Sequence, residues 1–559
     1  MKRSFLFFSV CFYFCSPFNI LAQEGYDAYS FNEQDTLRGQ LNPYRTCYDV
    51  HFYDLDLFVD MLERSIQGQV GIHFTVQEDF DRMQIDLFEN MQIDSVVYVD
   101  GQANQLVTSF DRNGNAFFVD VPNQTKGSTG QVIVYYRGKP IIAKNAPWDG
   151  GFSWKRDKEN RPWLGVSCEG IGASLWWPNK DHLSEESDST RIRVTVDDEY
   201  TVISNGNLRS TEVLDNGLHA FEWFVAYPIN NYNVTLNIGN YAHFGDPYVA
   251  FDGDTLACDY YVMDYNLEKA KKHFEQVHGV LESFEYFFGK YPFWEDGFAL
   301  VETPYLGMEH QSCIAYGNKY MRGYLGGMIP ADMDWDYIIV HETGHEYFGN
   351  SVSSVDHAEM WIHESFTTYM EALYVEYFYE YADVERYLEG QRPFIRNKQS
   401  IVGPMDVNFD NWKASDHYYK GSWVIHTLRH HLGDDAFYFK FLKDFYQAFS
   451  MSHMTSEDFI VFMEDYTGLS IRPIMEHYLY KAELPVLRYS LEEKRNKKTF
   501  TYRWDNVAED FNLKVWVRVG EELIQISPST TEQELVWKAP ANAKVRVDLG
   551  KSLIDVIEE

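Results

Sequence analysis

The sequence predicts an α+β multidomain fold: an N-terminal antiparallel β domain, a mainly helical domain, and a small C-terminal β-sandwich. Three observations predict it. The chain has 559 residues, more than one hydrophobic core usually organises. Apolar residues alternate with polar ones from about Tyr44 to His243, recur every three or four from Asn266 to about Tyr480, and alternate again from Leu484. Asp-Gly and Asn-Gly breaks punctuate the first stretch, as hairpin turns require.

The first residues, "MKRSFLFFSVCFYFCSPFNILAQ", combine a basic start, an apolar run and a small residue at Ala22. That is the form of a secretory signal peptide, residues 1–22, with cleavage expected between Ala22 and Gln23. The run is short for a bilayer and no second stretch of about 20 apolar residues follows, so no integral membrane span is expected. The expected location is periplasmic, extracellular or surface-associated.

Residues 23–250 form the expected β domain, with runs such as "YDVHFYDLDLFVD" and "GQVIVYYRG". Residues 251–482 form the helical domain. It opens on an amphipathic helix in which Leu267, Ala270, Phe274, Val277, Leu281 and Phe284 share a face, with Asn266 as the expected cap and Gly289 as the stop. Residues 483–559 return to alternation in "KTFTYRW", "NLKVWVRV" and "KVRVDLG", the pattern of a small sandwich.

Asp and Glu number 84 against 48 Lys and Arg, a formal charge of −36, so phosphate backbones are repelled and nucleic acid is excluded as a partner. Cys11 and Cys15 fall in the signal, leaving Cys47, Cys168, Cys258 and Cys313 without a C-x-x-C pair. One or two disulfides and four buried thiols are both compatible with that spacing. Oligomeric state is not legible.

Chemistry concentrates in "VHETGHEYFGNS". On a helix His341 and His345 stack one above the other while Glu342 points aside. Zinc takes imidazole and carboxylate ligands, and a catalytic site leaves one position for water. Glu364, on the helix expected over "AEMWIHESFTTYMEALYVE", supplies a third ligand, giving one Zn²⁺ per chain on His341, His345 and Glu364. Glu342 is placed to take a proton from zinc-activated water, as a general base.

With these residues in place the chain resembles the aminopeptidase N family of zinc exopeptidases, the gluzincin class with H-E-x-x-H, eighteen residues, then Glu. "HETGHEYFGN" and "MWIHESFTTYME" resemble the family's two ligand segments, and "GLSIRPIMEHYLYKAELPVL" resembles the end of its catalytic domain. The resemblance implies a thermolysin-like catalytic domain that removes N-terminal residues from peptides with a free N-terminus. "LGMEHQSCIAY" resembles the family's exopeptidase loop, which implies substrate-binding roles for Gly307, Met308 and Glu309, the last pairing with the α-ammonium. Leu306 and His310 replace that loop's usual glycine and asparagine. "CEGIGASLWWP" implies a second amine anchor at Glu169, with Ser174 where the family has arginine. "HYYKGSW" implies an oxyanion-stabilising tyrosine, assigned to Tyr418 rather than Tyr419. Glu359 matches an acidic position of the family, which implies either a carboxylate that orients a ligand histidine or a plain helix-start acid. Many relatives carry a helical fourth domain over the site, which implies here a more open cleft or cover from a second subunit. The rival readings are a thermolysin-like endopeptidase and a catalytically silent binding scaffold.

Overall fold

The computed structural model describes residues 26, 29–409, 411–494, 497–538 and 543–559. The expected signal peptide and its cleavage point lie outside these residues.

The N-terminal region is built on an eight-stranded sheet. Its central strand, Tyr48–Asp60, pairs antiparallel with Ser65–Val76 and parallel with Ser189–Asp197. That one parallel pairing departs from an all-antiparallel pattern, and Leu164, Val166, Trp176 and Leu183, which precede the paired strand, share the sheet's apolar cluster. Alternating burial along Tyr48–Asp60 follows from the pleat, with Tyr53, Leu55, Leu57 and Val59 inward. A three-stranded sheet carries Phe80–Asp86, and a four-stranded sheet carries Gly151–Arg156 and Pro162–Ser167. The latter strand leads directly into Glu169.

The strand Tyr241–Gly245, still within the alternating stretch, belongs to the next unit. It starts a five-stranded sheet that continues through Cys258–Met263, Phe298–Glu302 and Ile314–Tyr316 to Gly307–Met308 at the edge. The expected first helix is two helices, Leu267–His273 and Gln276–Phe287. Between them the Val277 N–H bonds the Phe274 carbonyl, a three-residue tightening that keeps both side chains in the core. Asn266 does not cap, because its amide donates to Glu302 Oε1 instead.

The remaining helices, Tyr337–His345, Trp361–Phe378, Tyr381–Gln391, Asp416–Leu432, Asp435–Phe449, Ser456–Thr467 and Arg472–Tyr480, pack into one apolar cluster with the five-stranded sheet. After them come a four-stranded sheet and a three-stranded sheet, whose Leu487, Phe500, Trp504 and Val517 join the same cluster. Cys47, Cys168, Cys258 and Cys313 are all free and buried, which decides for thiols over disulfides at these four positions.

Candidate metal centre and amine site

The Tyr337–His345 helix is buried along its whole length. Asp336 starts it, accepting from the Ile338 and Ile339 N–H groups, and the same carboxylate holds Tyr316 OH, Asn318 Nδ2 and His273 Nε2. The helix ends at His345. Gly349 sits at φ +125, and a Cβ there would lie 3.1 Å from His345 Nδ1, so the turn needs glycine. The Trp361–Phe378 helix crosses this one where Gly344 faces Thr367, and Glu364 lies in its first turn.

These two helices bring His341, His345 and Glu364 together. The two Nε2 atoms are 3.2 Å apart, and Glu364 Oε2 lies 3.6 Å from one and 3.4 Å from the other. Ligand atoms held 2.0–2.1 Å from a tetrahedral ion are spaced by about 3.3 Å, so this triangle has the size of a zinc site's face. Each ring is oriented through its other nitrogen. His341 Nδ1 lies 2.6 Å from Glu371 Oε1, and His345 Nδ1 lies 3.0 Å from the Phe348 carbonyl and 3.2 Å from Thr367 Oγ1. With Nδ1–H donating in both, two lone pairs and a carboxylate oxygen converge on one point. Glu364 Oε2 is buried with no hydrogen-bond partner in the protein. Burial alone would lower His341, but Glu364 and Glu371 raise it well above the ordinary histidine value. The cluster attracts positive charge, and a divalent cation satisfies all three atoms at once.

Glu371 was not foreseen. It stands two turns after Glu364 on an apolar helix face, and that seven-residue spacing was the available signal. Its Oε2 accepts from Tyr387 OH at 2.5 Å. Of the two readings open for Glu359, the ligand-orienting one gives way: its carboxylate accepts the Ser456 N–H at 2.8 Å and so tethers the start of the Ser456–Thr467 helix.

Glu342 leaves the ligand face and abuts the edge strand Gly307–Met308. A Cβ on Gly307 would lie 2.5 Å from Glu342 Oε1, so only glycine leaves that carboxylate in place. Burial pushes Glu342 up to about 8, opposed by His341 and His345. The Met308 side chain is buried against the β-domain core, and its backbone lies in the edge strand of the five-stranded sheet.

Glu309 is beside them, its carboxylate within 4.8 Å of Glu342 and His345 ligand atoms. It accepts from Tyr232 OH at 3.1 Å, and its carbonyl accepts from Asn350 Nδ2. Asn350 also takes the Asn233 amide, and Glu346 accepts from Tyr291 OH and the Ser312 N–H, so the turn after His345 anchors the Glu309 loop. Glu169 faces Glu309 from the β domain. Burial first, then the Glu309 carboxylate, raises it well above the usual carboxylate range, and its Oε1 is buried without a hydrogen-bond partner. Two carboxyl groups held in opposition make a place for a cation. His310 is fully buried with neither ring nitrogen paired, and desolvation pushes it down to about 3, so it is neutral.

Tyr418 closes the other side. Its ring lies 6.0 Å from His341 at 19°, and burial, then Glu364, raise its phenol well above the ordinary value. Tyr419 packs on Phe394 instead. The Lys-Gly that follows is structural: a Cβ on Gly421 would lie 1.7 Å from Ser365 Oγ, and Lys420 Nζ donates to the Lys481 and Ala482 carbonyls. Gly421 therefore lets the Asp416–Leu432 helix touch the Glu364 helix.

Comparison with known proteins follows the same map. The pattern of the Peptidase family M1 domain matches residues 265–478, and that of the Peptidase M1 N-terminal domain matches residues 50–232. Aminopeptidase B of Rattus norvegicus is 26% identical over 218 residues, covering 36% of this chain and 32% of that protein. Aminopeptidase N of Escherichia coli is 23% identical over 290 residues, covering 50% of this chain and 33% of that protein. The chain spans less than half the length of the curated relatives it matches. A mutant M1 zinc metallopeptidase from Deinococcus radiodurans, bound to a Tyr-Ser-Ala substrate, superposes with a TM-score of 0.64 at 19% identity, covering 79% of this chain and 96% of that one.

Proposed function

Because the chain belongs to peptidase family M1, we propose that it is an exported zinc aminopeptidase, one Zn²⁺ per chain, that removes the N-terminal residue of peptides. The observation that carries this reading is the opposed pair Glu169 and Glu309 beside the His341, His345 and Glu364 triangle. A free α-ammonium replaces the proton that burial and the Glu309 carboxylate favour on Glu169, and this measures the scissile bond one residue from the chain end. Bound on His341, His345 and Glu364, zinc supplies Lewis acidity to the scissile carbonyl and acidifies water. Glu342 takes the proton from the attacking water and delivers it to the leaving amine. Tyr418 keeps its proton and donates a hydrogen bond to the oxygen that gains charge in the transition state. Glu371 holds the His341 ring in the tautomer that presents Nε2.

Export rests on the first residues of the sequence. Among the described residues no helix is long and apolar enough to cross a membrane.

The test is a panel of aminoacyl chromogenic amides, run with and without a chelator, beside one peptide in free and N-acetylated forms. Hydrolysis of the free form alone, lost on chelation and restored by zinc, is expected. Equal cleavage of the acetylated peptide would instead identify an endopeptidase.

A further inference from the structure

Resting on that reading of the site, a second group of residues, none of them placed in the chemistry, connects both of its walls. The chain at Tyr26 and 29–39 does not join the N-terminal sheet. It lies against the loop of residues 399–409 and Trp412, which precedes the Tyr418 helix. Tyr26 is buried, accepts from Gln399 Nε2 at 2.9 Å and donates to the Ser400 carbonyl at 3.0 Å. Tyr29 OH donates to the Asn411 carbonyl. Phe409 is enclosed edge-on by Tyr26, Tyr29 and Trp412, at 5.3, 5.1 and 5.3 Å between ring centres. Further along, the Asn408 N–H reaches the Asp35 carbonyl, and a Cβ on Gly39 would lie 2.4 Å from the Val407 backbone, so the two segments touch main chain to main chain.

The loop so held then touches the site at two points. Trp412 packs on His417 at 4.7 Å, and His417 packs on Tyr418 at 4.6 Å. Asn408 Nδ2 donates to the Gly170 carbonyl at 3.3 Å, one residue from Glu169. Tyr418 and Glu169 come from different domains and have separate supports; this loop is a member common to both.

We infer that the N-terminal segment is a strap that sets Tyr418 and Glu169 relative to each other through the 399–409 loop, with Trp412 and Asn408 as positioning residues. Catalysis tolerates little displacement of groups that act in the transition state, with about 1 Å costing up to about 10²-fold. Loosening the Trp412 contact therefore acts on kcat through Tyr418, and loosening the Asn408 contact acts on KM through Glu169.

The test uses the full chain and two readouts. Trp412→Ala is expected to lower kcat by about tenfold with KM nearly unchanged, to be rescued by Trp412→Phe, and to have little further effect in a Tyr418→Phe background. Asn408→Ala is expected to raise KM, and to do so only while Glu169 is present. Independently of activity, hydrogen exchange of Tyr26→Ala/Tyr29→Ala, with Tyr26→Phe as the gentler variant, is expected to speed up at 399–409 and also at 168–172 and 415–420. Additive effects in both double mutants, or faster exchange confined to 399–409, would overturn the strap. An inactive wild type that still shows the spread of exchange would overturn the aminopeptidase reading alone.

Discussion

Replacing Glu371 by alanine removes the acceptor that orients His341 without touching the metal triangle itself. Partners of this kind are worth about 10- to 100-fold in metal affinity, and that loss is expected here by competition with a chromogenic chelator; unchanged affinity would show that His341 needs no orienting carboxylate. Glu342→Ala is the complementary case, expected to keep bound zinc and to lower kcat by about 10²–10⁴-fold. Near-normal turnover in that variant would remove Glu342 from the chemistry. Glu342 was legible from the sequence because base and ligands share one short helix. Glu371 was not, because its role depends on a helix crossing thirty residues later and on which face the Trp361–Phe378 helix turns inward. Of the two readings open for Glu359 the sequence could not choose, because a position within an element does not say which neighbour it meets, here the Ser456 N–H.

At the scale of elements, the contact between the Tyr418 helix and the Glu364 helix is set by a missing side chain. Gly421→Ala places a Cβ 1.7 Å from Ser365 Oγ, which the helices relieve by separating. Overpacking of this kind costs about 1–3 kcal/mol, expected as a lowered thermal midpoint together with reduced kcat as Tyr418 leaves His341. A variant with both unaltered would mean that the crossing is looser than the distance implies. Motif spacing placed the two ligand helices, which are buried on nearly every face and so show little amphipathic repeat; the helix that carries Tyr418 was legible only as part of a mainly helical stretch. Local periodicity did not show the break after His273, because the tightened turn at Phe274 and Val277 keeps the apolar residues in phase. Nor did it show the strap. The pair Tyr26 and Tyr29 lies nearly four hundred positions before the pair Phe409 and Trp412, and nothing in the sequence joins the two.

Across the whole molecule, the helical domain meets the C-terminal sheets through three buried histidines. His426 Nε2 lies 3.2 Å from the Gly550 carbonyl, and His431 Nδ1 accepts the Lys514 N–H at 3.1 Å. The His430 carbonyl accepts from Trp516 Nε1 at 3.0 Å. Burial pushes His426 down to about 3 and His431 to about 4, and lowers His430 as well, with Arg429, Lys551 and Lys514 adding to the effect. The unfolded chain binds these protons near pH 6.5, so their contribution is fully present above that pH and is lost as pH falls from about 6.5 toward about 4. Thermal unfolding followed by intrinsic fluorescence is expected to show the C-terminal sheets releasing first in that window. A midpoint that stays level from pH 7 to pH 5 would contradict it. The order of domains was legible because alternation and helical repeats segregate along the chain, whereas this interface joins side chains from two repeats that carry no mutual signal.

Anomalous X-ray scattering at the zinc edge, from crystals of the full chain grown with Zn²⁺, tests the metal centre without relying on turnover. One peak bonded to His341 Nε2, His345 Nε2 and the Glu364 carboxylate, with the Glu342 carboxylate alongside but not bonded, is the predicted result. A map with no peak among those three side chains, or with Glu364 turned away from the ion, would contradict it.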